Sequence, residues 1–252
     1  AGAGYGLPAA KDLVAVSYAT DTAGSKVTAI QGSFGKGMQA GLYAGYMIGE
    51  KIGFEAGFSY LMSSKYNSTQ QFEDGTGDSD KDEITAYGKM MRVYPALRFT
   101  IGEDATKGYL RTGISFGFGA KMTSETKSTS VSSSITTNSE RTHEYSGGLS
   151  IGYMAGAGFT HMFSDQVGIF AEVGFNFQNW SPQERNVTKY TVDGTDQLAG
   201  MTVSQKTTEY NKEVTFDNST FDPNKPSQQL QFHLPFSSWG INAGVHFSFG
   251  GK

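Results

Sequence analysis

The chain has 252 residues, a net charge of -4 and no cysteine. That length allows one large domain or two small ones with an ample core. The charge leaves no basic footprint for nucleic acid, and the missing thiols exclude disulfides, thiolate metal sites and a cysteine nucleophile. Charged residues make up 17% and 33 positions are glycine, a composition poorer in charge and richer in glycine than ordinary soluble domains.

No stretch reaches the ~18 consecutive apolar residues of a membrane helix, so a membrane role would need strands. Residues 1–9 open directly in an alternation of glycine with larger side chains and carry no basic and apolar leader, as expected of a mature or trimmed chain. Segment 37–48 alternates likewise. In 52–60, Ile52, Phe54, Ala56, Phe58 and Tyr60 alternate with Gly53, Glu55, Gly57 and Ser59. Segment 87–101 repeats the pattern around Pro95, and 110–120 sets Leu110, Ile114, Phe116 and Phe118 against Arg111, Gly113, Ser115 and Gly117. Segments 145–163, 167–177 and 239–249 complete the series, the last reading "WGINAGVHFSF". Period two means β-strands, and about ten residues each is the length that crosses a bilayer at a tilt.

The connections alternate between short ("GEK", "GEDATKG", "SDQ") and long, polar ones near 10–36, 64–86, 123–144 and 181–238. Strict alternation puts every long loop at one end. The expected fold is therefore all-β: one domain over 1–252, a transmembrane antiparallel up-and-down β-barrel of about eight strands with short periplasmic turns and long extracellular loops, 1–9 pairing with 239–249. The Ser/Thr-rich "TSETKSTSVSSSITTNSERTHE" reads as a solvated loop that builds no core, whereas 181–238 could extend its flanking strands, given its β-rich composition, or equally be mobile. Pro95 cannot donate to a ladder, so a bulge or gap is expected there.

Large apolar groups on one face, with glycine, serine and single charges on the other, suit lipid outside and a narrow packed interior. Tyr60, Tyr87, Tyr145 and Trp239 near the long-loop end, and Tyr46, Phe99, Phe163 and Phe249 near the other, form two aromatic girdles. Inside, Arg92, Arg98 and Arg111 face Glu55 and Glu172, with Lys121 also on the polar set. Such charges could line a selective pore; in a lumen already filled by eight strands, an ion-pair network that lets the charges be buried is the stronger reading. Two Gly-x-Ser-x-Gly matches, 113–117 and 148–152, lie within strands and lack the helix that a nucleophile elbow requires. His143, His161, His233 and His246 show no metal-binding spacing, although His143 or His233 could serve a hydrolase at the rim. The acidic run 74–83 lacks the glycine and closing glutamate of a calcium loop. No catalytic residue, metal or cofactor is expected.

The stretches "GSFGKGMQAGLYAGYMIGEKIGFEAGFSYLMSSKY", "MRVYPALRF" and "GINAGVHFSF" resemble small Gram-negative outer-membrane β-barrel proteins of the A and X type. The resemblance covers the strands and not the long loops. It implies a terminal aromatic, here Phe249, read by the barrel-assembly machinery; the trailing Gly-Gly-Lys departs from that pattern. It also implies an envelope-stabilising, adhesive or complex-forming role. The expected function is non-enzymatic: an integral protein of the bacterial outer membrane, acting through its loops or lipid-facing wall. Its expected partners are outer-membrane lipids, lipopolysaccharide and other outer-membrane proteins, with no nucleic acid. A channel for a small or apolar solute is the alternative and an outer-membrane hydrolase the third.

Overall fold

A computed structural model describes residues 1–9, 12–21, 23–102, 104–215 and 222–249. It holds seventeen strands in chain order: β1 (Gly2–Pro8), β2 (Asp12–Asp21), β3 (Gly24–Gly32), β4 (Gly37–Met47), β5 (Ile52–Ser63), β6 (Tyr66–Glu73), β7 (Ser79–Ile101), β8 (Thr106–Ser132) and β9 (Ile135–Ser146) come first. They are followed by β10 (Ser150–Met162), β11 (Val167–Trp180), β12 (Glu184–Val192), β13 (Thr195–Asp196), β14 (Thr207–Asn211), β15 (Ser227–Leu230), β16 (Leu234–Pro235) and β17 (Ser238–Phe247). The described helical structure is one 3-10 turn, Leu198–Gly200, and a single turn α1, Val203–Lys206. Among the described residues no helix is long and apolar enough to cross a membrane.

Eight strands close on themselves. β1 pairs with β4, and β5, β7, β8, β10, β11 and β17 follow, each antiparallel to the last, until β17 returns to β1 with Gly2 opposite Gly244 and Pro8 opposite Ser238. A closed ring has no edge strand, so each of its strands has a neighbour on both sides. Burial alternates as the pattern requires. In β5, Gly53, Glu55, Gly57, Ser59 and Leu61 are buried while Ile52, Phe54, Ala56, Phe58, Tyr60 and Met62 are exposed. The large apolar side chains, Val173 and Val245 among them, thus face out and the small and polar ones face in. The short connections at 48–51 and 163–166 lie at one end, together with Ala1, whose amine donates to Val245 O at 2.9 Å, and the end of β17. Part of the "GEDATKG" turn, and the closing Gly-Gly-Lys, lie outside the described residues.

At the opposite end the strand count departs from eight, because the long connections are themselves sheet. β7 and β8 run for 23 and 27 residues, about twice a bilayer-crossing length. Above the ring they carry an open sheet in the order β3, β2, β6, β7, β8, β9, β12, β14, β15, with β2–β6 and β14–β15 parallel. The Ser/Thr-rich segment is therefore not a solvated loop. Thr fits a pleated surface, the hairpin is flanked by β7 and β12, and Ser133 and Ser134 (φ 50° and 64°) form its two-residue turn. Segment 145–163 is not one strand either. Gly147 and Gly148, with φ of 84° and 79°, break it between β9 and β10.

Two irregularities in β7 and β8 set the geometry. The β7–β8 ladder pairs Val93 with Phe116 and Ala96 with Gly113 but gives Tyr94 and Pro95 no partners, while β5 pairs through Pro95 without interruption. Higher up, the register shifts between Lys89 and Met91, opposite Gly119, whose φ is +57°. This glycine bulge reverses the facing of β8. Ala120 and Met122 become buried, and Lys121 turns to the other face, where it meets Glu144 at 2.7 Å; Lys121 is accordingly not part of the lumen.

The ring closes below this bulge. Removing 125–140 should therefore leave the ring, and its resistance to unfolding in SDS without heating, intact, while amide exchange accelerates at the far end of β12, where Thr191 and Val192 lose Glu140 and Ser139 as partners. Collapse of the folded gel band would show that the upper sheet holds the ring together.

Candidate functional site: the packed lumen and the sheet above it

The lumen is built from inward positions of all eight ring strands, with its charged level near the short-turn end. Arg98 of β7 and Arg111 of β8 stand directly opposite each other, a like-charged cross-strand pair that would repel if left alone. Glu55, reaching across from β5, accepts from both: Arg111 Nη1 at 2.7 Å and Arg98 Nη1 at 3.4 Å. Glu172 of β11 closes the other side. Arg111 Nη2 donates to its Oε1 at 2.7 Å, and Nε approaches Oε2 at 2.5 Å without the alignment of a hydrogen bond. Tyr109 Oη and Asn242 Nδ2 also donate to Glu172, each at 3.2 Å, and Gln39 Nε2 holds Asn242 Oδ1 at 2.7 Å. Arg98 donates onward to Thr160 Oγ1 at 3.1 Å and lies 3.9 Å from the centre of the Tyr109 ring; Arg111 lies 4.2 Å from that of Tyr43. Glycine makes the room. A Cβ on Gly156 would sit 2.9 Å from the Glu172 carboxyl carbon, and one on Gly4 would sit 2.0 Å from Asn242 Oδ1.

The next level up is aromatic. Tyr43 and Tyr94 stack at 6.5 Å, and Tyr94 Oη and Ser59 Oγ share a hydrogen bond of 2.8 Å. The space left beside these two levels is a cavity of about 30 Å³, room for one or two waters. Arg92 lies above and is fully buried, but it is not part of the ion-pair network. Its Nε donates to Gln178 Oε1 at 2.9 Å and its Nη2 to the Phe236 carbonyl at 2.9 Å, and no described carboxylate pairs with it. Tyr94 and the aromatic cap leave it one level away from the glutamates, out of reach of both. That cap packs Phe34, Leu61, Met90, Trp180 and Phe236 under the upper sheet, with Trp180 Nε1 donating to Gly147 O at 2.7 Å.

Outside, Tyr46, Phe163 and Phe249 are strongly exposed at the short-turn end, and Phe99, Tyr60 and Trp239 point outward at about two-fifths exposure. Tyr87 is half-buried on that face, its hydroxyl donating to Glu125 at 2.9 Å. Tyr145 does not belong to an outward girdle. It lies in β9 opposite Met122 and stacks on Tyr210 at 6.2 Å, on the face continuous with the lumen. The outer wall also has a groove of about 410 Å³, its floor at Ala155 and Ala157 between Leu110 and Tyr153 on one side and Val173 and Phe175 on the other.

The remaining candidates stay apart. Ser115 and Ser150 are buried in strands, bonding Gln178 and the Asn179 carbonyl. Asp74 accepts from Thr76 and Asp78, and Asp78 from Ser133, so these acids organise turns. Among the described residues no three metal-ligating side chains cluster. His161 bonds Thr106, His233 bonds Ser181, His246 faces the lumen, and His143 lies on the inner face of β9. Sequence reasoning missed Tyr109, Asn242 and Gln178 as partners of the charges, and Gln39 as the partner of Asn242. The inward parity of Asn176 and Gln178 after Glu172 was the available signal.

What fold and lumen define together is a class: an all-β protein on a closed eight-stranded ring, apolar outside and polar and filled within. No family model matches the chain, and no curated protein or solved structure matches it.

Glu172→Gln would leave Arg111 short of a counter-charge, and breaking such a buried pair should cost about 3–5 kcal/mol. Arg92→Met removes a charge that has no carboxylate partner and should cost far less. Urea unfolding of the two variants should separate them; equal losses would mean that packing, not charge, sets the stability here.

His143 carries a pH signature. Burial, then the nearby Arg185 and Arg141, push it from 6.5 down to about 4. The unfolded chain protonates this imidazole below about pH 6.5 and the folded chain only near 4, so stability is complete above 6.5 and declines as pH falls from 6.5 towards 4. His143→Gln should flatten that part of the stability profile measured by urea unfolding.

Proposed function

We propose that this is an integral β-barrel of a bacterial outer membrane whose work is done from its surface sheet, as an adhesive or envelope protein or as a subunit of a membrane complex. The observation that carries the proposal is the inversion of burial around the ring: Phe54, Phe58, Ile169, Val173 and Ile241 exposed outside, Glu55, Arg111, Glu172 and Asn242 buried within. Water rewards the opposite arrangement, whereas lipid permits it and a closed ring leaves no unpaired backbone in the hydrocarbon. The filled lumen supports a non-conducting role, and the strands prolonged beyond the ring support a rigid platform for recognition, as loops on stiff scaffolds commonly provide.

The outer-wall groove favours a second reading, passage of a small apolar solute by way of the wall, because its lining reaches the inward-facing Arg111 and Gly156.

Planar-bilayer recording discriminates. The purified protein, refolded in detergent and inserted, should show no steady conductance. Stable ion-selective currents that change in Glu172→Gln without loss of folding would make it a channel. Failure to enter lipid vesicles at all would remove the membrane reading.

A further inference from the structure

The upper sheet sorts its charges by face. β8, β9, β12 and β14 lie side by side there, and side chains alternate between the face continuous with the lumen and the face turned away. Glu125, Glu140, Glu144, Glu184 and Glu209 all fall on the outer face: Glu125 meets Tyr87, Glu140 meets Lys189, Glu144 meets Lys121, and Glu184 stands opposite Glu209. Arg141, His143 and Arg185 fall on the inner face. The register sets them in a diagonal row, since Arg185 is opposite Tyr145 and His143 opposite Val187, and a bulge at Thr188 brings Tyr190 opposite Arg141.

No described carboxylate pairs with either arginine. Arg141 lies over the Tyr190 ring at 4.2 Å; Arg185 donates from Nη2 to Thr208 Oγ1 at 2.9 Å, and its buried Nε has no partner. His143 Nδ1, between them, is likewise buried without one. On the β8 side the register places Ser124 opposite His143 and Thr126 opposite Arg141. The acids of β7 on this face, Asp80 and Asp82, sit beyond β8, opposite Ser130 and Ser128. Two guanidinium groups without a carboxylate partner flank an imidazole beside two hydroxyl-bearing residues, all half-buried and on one face of the sheet.

We propose that Arg141, His143 and Arg185 form a binding site for a phosphate-type oxyanion. The chemistry fits: arginine forks match tetrahedral oxyanions, and Ser and Thr hydroxyls supply further donors. The downward push on His143, which arises from burial and the two arginines and from no nearby acid, is the field that such an anion would neutralise. The site lies above the ring and does not depend on what surrounds it. Its ligand could be a free phosphorylated solute or a phosphorylated lipid headgroup.

The test follows the His143 imidazole by NMR in the full chain, refolded in detergent, at fixed ionic strength. One arm titrates inorganic phosphate, the second a short-chain phosphatidic acid below its micellar concentration, and a control arm sodium chloride. Saturable movement of the His143 signal with phosphate, raising its apparent pKa, supports the site and a soluble ligand; movement in the phosphatidic acid arm alone supports it with a lipid source. Arg141→Gln with Arg185→Gln should weaken either response at least tenfold, while Lys121→Gln with Lys189→Gln on the outer face should not change it. No saturable response in either ligand arm, or equal movement with chloride, overturns the proposal, and the wild-type titration is decisive even if the double arginine variant fails to fold.

Discussion

Arg98 and Arg111 face each other across one ladder, and the lumen depends on how that repulsion is answered. Two glutamates from other strands answer it, so the charged level ties β5, β7, β8 and β11 together across the interior as well as around the wall. Tyr109 and Asn242 then donate to Glu172, and Gln39 holds Asn242 in place. A buried charge is costly unless its partners are buried with it. Once they are inside, the neighbouring strands must supply glycine for space and amides for satisfaction, which is why Gly4 and Gly156 stand where a Cβ would collide with the network.

Above that level the solution changes from polar to apolar. Trp180 and Phe236 seal the lumen under a sheet made from the continuing strands. The bulge at Gly119 is what allows one strand to serve both regions. Below it, the odd-numbered residues of β8 face the ring interior; above it, the even-numbered ones do, so Met122 enters the cap and Lys121 leaves for the outer face. A single left-handed glycine thus divides a charged lumen from an apolar lid, with one ladder irregularity as the consequence.

The upper sheet treats its two faces differently. Its outer face pairs Glu144 with Lys121 and Glu140 with Lys189, while its inner face leaves Arg141 and Arg185 without a described carboxylate partner. Such sorting is more than surface solubility requires, since interspersed charges of both signs serve that purpose.

The eight ring segments were legible because period two writes facing directly into sequence. Every apolar residue of 52–60 marks the outside, and Glu55 announces itself as an inward charge. Loop segregation was legible for the same reason, since short and long connections alternate strictly. The break at Gly147 and Gly148 was not, because glycine is as common inside these strands as at their ends. Nor was the strand character of 123–144, where Ser/Thr composition fits a solvated loop as well as a pleated edge and only pairing with β7 and β12 decides. Sequence by itself therefore determined the all-β class, the alternation from which the ring is built and which residues share a face in unbroken stretches such as 52–60 and 167–177. Tertiary structure alone decided that Arg92 misses the glutamates, that Lys121 turns out, that Tyr145 turns in and that Arg185 joins His143, because each depends on a bulge or a cross-strand neighbour that the local pattern does not encode.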